Sequence, residues 1–304
     1  QTSNSYEMAT VPFVPVPGNL WRKYSAIREL DIGTVMQCWL IGSFPSPMTK
    51  AGGELSFEPF PENENAFMQR LATIDWQGNQ NSVGEAWRLF GEAYRNYPFS
   101  RIFSYYSPMN NGPVWPLHVI PCDVGLQPPF RANRPPSGDR IGECLGDGLN
   151  LPEALLLCGR MRDGWAAGMA LLEPLRAVYA DNAARLRDIA VCEAVGIQIR
   201  SAHNILSFYR LREALAWGEE ATARLETLDR MRELVTEETQ LSSRLLGLAE
   251  ADTRLGFQAD SECHIYYPAK LRWRVDVLNR LLADEFVQVE QALRTGQDPF
   301  AAYT

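Results

Sequence analysis

The feature that most constrains this chain is its second half, where from Leu151 onward the apolar residues keep helical spacing almost without interruption. Residues 151–180, 182–216, 219–250 and 268–294 each read as a long helix. In the last of them Leu271, Val275, Leu278, Leu282, Phe286, Val289 and Leu293 recur at steps of three and four, the stripe by which a helix joins a bundle. Pro268 suits a first helical position, where its missing N–H would be unpaired anyway. His203 shares a helical face with Ile199, Ala202 and Leu206, so it reads as a core histidine with a hydrogen-bond partner.

The first half has another character. Residues 5–60 are rich in β-branched and aromatic residues, and they hold two strand-like runs, 6–16 and 34–41, around a helical stretch at 19–30 that Asp31-Ile32-Gly33 stops. Strand, helix, strand is the unit of a parallel sheet, and the apolar run Val35-Met36-Gln37-Cys38-Trp39-Leu40-Ile41 suits a strand covered on both faces. Two helices follow at 62–74 and 83–97, the second ended by Pro98. Residues 99–150 read as irregular, rich in proline and glycine, and a loop region of that length is functional or wraps a neighbouring domain. The expected division is therefore 1–60, 61–150 and a helical bundle at 151–304.

Several function classes are excluded by composition. A formal charge of −8 opposes the balance that a phosphate-gripping surface needs, so no nucleic-acid partner is expected. No apolar run reaches the roughly 18–20 residues that cross a bilayer, so no membrane partner is expected either. Gln1-Thr2-Ser3 is neither a signal peptide nor an ordinary start, and the chain reads as a piece of something longer. Cys38, Cys122, Cys144, Cys158, Cys192 and Cys263 stand apart without a CxxC pair, which reads as thiols of a cytoplasmic protein rather than structural zinc; no metal and no cofactor are expected. The chain has no G-x-S-x-G, H-E-x-x-H or phosphate loop.

Particular segments carry a resemblance. Ser5 to Pro12, then Val35-Met36-Gln37-Cys38-Trp39 followed by Gly42, Phe44 and Pro45, resemble the last two strands of a (β/α)8 barrel in bacterial glycoside-hydrolase-like proteins. Residues 85–99 and 251–257 resemble parts of the helical region after such barrels. The implied fold class is mainly α, with the last two β/α units of a (β/α)8 barrel followed by an all-α helical-bundle domain. Two units cannot close a barrel, so the resemblance implies a missing upstream barrel segment or a partner chain, with the catalytic acid and base on those upstream strands. A carbohydrate ligand is the implied substrate.

In such a barrel the reacting groups stand at the carboxyl ends of strands, which makes Trp39 the first candidate, as a stacking floor for a sugar ring, with Gln37 on the same face. Tyr105, Tyr106, Asn110 and Trp115 combine stacking faces and amides in one turn-rich segment, the mixture that sugar sites use. Arg254, Glu262 and His264 crowd the link between the last two long helices and could reach over a barrel mouth. Each has a plainer reading: a packed core tryptophan, a loop clamped by proline, a set of helix caps. No carboxylate pair at hydrolase spacing is visible, and Glu54 and Glu58 read as solvated or structural. The competing function is a noncatalytic helical interaction or scaffold domain of a larger protein.

Overall fold

The computed structural model describes residues 10–36, 44–122, 139, 141–146, 148–258 and 263–302, with Tyr105 described in its backbone alone. The chain is mainly helical. Its helices are α1 (Pro17–Glu29), α2 (Pro47–Leu55), α3 (Glu64–Asp75), α4 (Gln80–Tyr94), α5 (Arg101–Tyr106), α6 (Pro108–Asn111), α7 (Leu151–Leu172), α8 (Leu175–Val178), α9 (Ala183–Trp217), α10 (Ala221–Ala251), α11 (Pro268–Arg280) and α12 (Phe286–Arg294). The strands among the described residues are β1 (Phe257–Gln258) and β2 (Cys263–His264), two residues each. The chain forms two compact units that run across the lengthwise divisions at residues 60 and 150: Gln1–Tyr97 with Gly159–Gly196 and Arg254–Cys263, and Pro98–Cys158 with Ile197–Thr253 and His264–Thr304.

In the first unit α1 packs on α2, α3 and α4, and α3 packs along α4. The Ser46 side chain accepts from Thr49 N while Thr49 Oγ1 accepts from Ser46 N, a reciprocal cap that starts α2. Gly168 lets α7 approach α4 closely, for a Cβ there would sit 2.4 Å from Phe90 Cε1. The Phe90 ring in turn stacks on Trp165 at 4.2 Å, and the Trp165 indole donates to Cys192 O.

Of the expected strand at 6–16, the described residues 10–16 are not strand, and residues 34–36 of the second run are not strand either. Pro12 and Pro15 remove two N–H groups that a central strand would donate, yet Val11, Phe13 and Val14 are fully buried, so the segment enters the core as irregular chain. Residues 6–9 and 37–41 lie outside the described residues. The helix at 19–30 is present as α1.

The second unit centres on a cluster in which Phe208, Tyr209, Leu228, Met231 and Val235 meet Leu278, Leu281, Phe286 and Val289. α10 packs against both α11 and α12. Between those last two helices lies a π turn, Leu281–Glu285, which absorbs one extra residue. The inward stripe is consequently Leu271, Arg274, Leu278, Leu281, Phe286, Val289 and Leu293, while Val275 and Leu282 are only half buried. Residues 99–150 correct the irregular reading, for they hold α5, α6 and two 3-10 turns, Gly112–Val114 and Ile141–Cys144. Ser100 and Ser107 start the two helices by accepting from Phe103 N and Met109 N, with Pro108 at a first helical position.

Candidate functional site

A group of ionisable side chains in the first unit gathers where α3 ends and α9 begins. Asp75 is the last residue of α3, and Lys50 comes from α2. Asn182 caps the start of α9 by accepting from Arg185 N at 3.2 Å. Arg185 and Asp188, one turn apart, then share a face.

One guanidinium holds both carboxylates. Arg185 Nη1 lies 3.2 Å from Asp75 Oδ2, and Nη2 lies 3.0 Å from Asp188 Oδ2. The guanidinium is fixed from below by the Trp76 ring, 4.9 Å away, and Trp76 meets Tyr179 edge-on at 5.2 Å. Tyr179 is tethered by Asn79, whose amide donates to its hydroxyl. Lys50 adds a second cation to Asp75.

The two carboxyls are pushed in opposite directions. Burial raises Asp188 to about 6, with the positive charge of Arg185 opposing the shift and the negative charge of Asp75 adding to it. Burial would raise Asp75 as well, but the hydrogen bond from Lys50 and the charges of Arg185 and Lys50 outweigh it and hold Asp75 below its ordinary value. Two neighbouring carboxyls with separated proton affinities are an arrangement suited to one proton donor and one ionised partner. Arg254 also acts on Asp188 through its charge, and its guanidinium lies 6.0 Å from the Phe44 ring.

The expected site residues fall in different places. Gln37, Trp39 and Glu262 lie outside the described residues. Arg254, half-buried, belongs to the surroundings of Asp188 in the first unit. In the second unit, Tyr106 is half-buried on α5, while Asn110 and Trp115 are fully buried. The Trp115 indole donates to the Tyr209 hydroxyl at 3.2 Å. His264 is exposed, with Nε2 3.0 Å from Thr253 O. Glu54 pairs with Arg70, and Glu58 pairs with Arg28, whose hydrogen bond lowers that carboxyl. His203 is half-buried on α9, and His118 Nδ1 stands 3.8 Å from Glu285 at the end of the π turn.

Sequence reasoning missed Asp75, Asp188, Arg185 and Lys50. The only local signal was the Arg185-to-Asp188 spacing. Among the described residues no group of three or more His, Cys, Asp or Glu could hold a metal ion, and no helix is long and apolar enough to cross a membrane. No protein-family model matches the chain, no curated protein is similar to it, and no solved structure resembles it.

Proposed function

We propose that this chain is part of a glycoside-hydrolase-like enzyme acting on carbohydrate, with Asp188 and Asp75 as its proton-handling pair. The observation that carries the reading is the single guanidinium of Arg185 bound to two carboxyls of opposite proton affinity. Asp188, protonated below about pH 6, gives its proton to the departing glycosidic oxygen. Asp75 stays ionised and faces the positive charge that develops on the sugar ring as the bond breaks; a water then adds to the anomeric carbon and its proton returns to Asp188. Arg185 and Lys50 orient Asp75 and keep its proton off. The barrel-end reading of residues 1–60 belongs to the same proposal, with Trp39 and Gln37 on the rim and an upstream segment or partner chain completing the enclosure.

The test is release of reducing sugar from a panel of polysaccharides and aryl glycosides by the full-length protein. Hydrolysis that declines above about pH 6, and that falls by roughly a hundredfold or more in Asp188→Asn while the circular dichroism is unchanged, is the expected result. Undiminished hydrolysis by Asp188→Asn removes the pair from the chemistry. Absence of hydrolysis across the panel, with Asp188→Asn more stable than the parent at neutral pH, favours the noncatalytic helical domain, in which the same charges only fasten α2, α3 and α9.

A further inference from the structure

The core of the second unit is unusually polar along one face of α9. Glu238 and Arg274 form an ion pair at 2.7 Å with side chains 0% and 1% exposed. Ser201 Oγ and Asn204 Nδ2 donate to Glu238, and Arg274 donates to Ser242 Oγ and to Trp115 O. This network is closed: each carboxylate oxygen accepts from the protein, and the guanidinium spends three of its nitrogens on oxygen.

Beside it, two amides are left over. Asn110 and Asn111, at the end of α6, are 0% and 1% exposed. Asn110 Nδ2 donates to Ser104 O, but Asn110 Oδ1 and both polar atoms of Asn111 have no hydrogen-bond partner among the described residues. Contacts on either side hold this pair against one turn of α9. Gln198 Nε2 donates to Met109 O at 3.4 Å, and a Cβ on Gly112 would come within 3.0 Å of Ser201 Oγ. A buried amide that keeps neither its donors nor its acceptor carries a desolvation cost, which a polar occupant removes.

The chemistry of that occupant follows from the unspent atoms. Two carbonyl oxygens require donors, and one amide nitrogen requires an acceptor. No charge is left to balance an ion, because Glu238 and Arg274 neutralise one another in a dry setting. We infer that Asn110 and Asn111, against the Gln198–Ser201 turn of α9, form an internal binding site for an uncharged hydroxyl ligand. Water meets the requirement with its two donors and its lone pairs; a vicinal diol meets it with two hydroxyls. The site is independent of the Asp75–Asp188 pair.

Thermal unfolding of the full chain and of Asn111→Leu tests it. If the amide is satisfied by a hydroxyl ligand, the near-isosteric leucine loses those bonds and the melting temperature falls by about 2–6 °C. If the amide is an orphan, leucine relieves it and the melting temperature holds or rises, which overturns the inference. Should Asn111→Leu fail to fold, a crystal structure of the unmodified protein decides: electron density within hydrogen-bond reach of Asn111 supports the site, and none overturns it. The source is read from ethylene glycol as probe. A diol site shows a rise in melting temperature in the parent that Asn111→Leu lacks, and a water site shows the same response in both.

Discussion

Asp188 carries a carboxyl that burial has made reluctant to ionise, and this has a thermodynamic signature separate from any catalysis. Its folded-state value, about 6, stands above that of an unfolded aspartate. Between about pH 4 and pH 6 the folded chain therefore binds the proton more tightly, and the stability contributed by this group is present below that window and lost as pH rises through it. Asp188→Asn should remove the dependence. The difference in unfolding free energy between parent and variant is expected to change by on the order of 2 kcal/mol from pH 4 to pH 7, in favour of the variant at the higher pH. Denaturant midpoints that track one another across that range would refute it. The thiols report burial in the same way: Cys158 is pushed up to about 12, and Cys144 and Cys192 also shift upward, all through desolvation. The candidate site was scarcely legible at this scale, because Asp75 and Asp188 are remote in sequence and only folding puts one arginine between them.

Helices, by contrast, could be read from spacing alone wherever a long amphipathic stripe existed. The expected 182–216 and 219–250 appear as α9 (Ala183–Trp217) and α10 (Ala221–Ala251), each within two residues. Short helices escaped. α2 holds two adjacent glycines, and α5 and α6 are brief enough that their serine caps and Pro108, rather than any periodicity, mark where they start. Arg274 was passed over for another reason: a charged residue at an inward helical position looks like a break in the stripe until its partner on α10 is known. Close packing between elements gives two further expectations. Leu278→Ala, which empties a fully buried position in the α10–α11 interface, should cost roughly 2–5 kcal/mol in a denaturant titration. Gly168→Val should force α7 away from α4 at Phe90 and cost at least about 1–3 kcal/mol, whereas the same change at Gly53, which has open space around its Cα, should not. Equal losses at both positions would count against the close approach.

For the molecule as a whole, the two units keep different kinds of electrostatics. The first unit keeps Asp75 and Asp188 partly exposed around a buried Arg185; the second buries Glu238 and Arg274 outright. Removing one member of the buried pair leaves the other charged and unmatched. Glu238→Gln or Arg274→Met alone is therefore expected to cost about 3–5 kcal/mol, and the double variant to lose clearly less than the sum of the two. A strictly additive double-mutant cycle would mean that the ion pair is not acting as a unit. The mainly helical character was legible at this scale because the long stripes take up so much of the chain, while the grouping into units was not, since each unit is assembled from three separated stretches of chain.

The π turn leaves a trace of chain length in the last helical segment. Its buried positions advance by three, four and three residues to Leu281, then by five to Phe286, and by three and four again to Leu293. Taking out one residue of the turn, such as Ala283, would turn the step of five into four and join α11 and α12 as a single unbroken α-helix with every buried residue still facing inward. A chain shortened at this place should fold and melt close to the parent. The same deletion one turn earlier, at Asp276, would swing one half of the stripe into solvent and unfold the bundle. The segment thus has one place where it can lose a residue and keep its register.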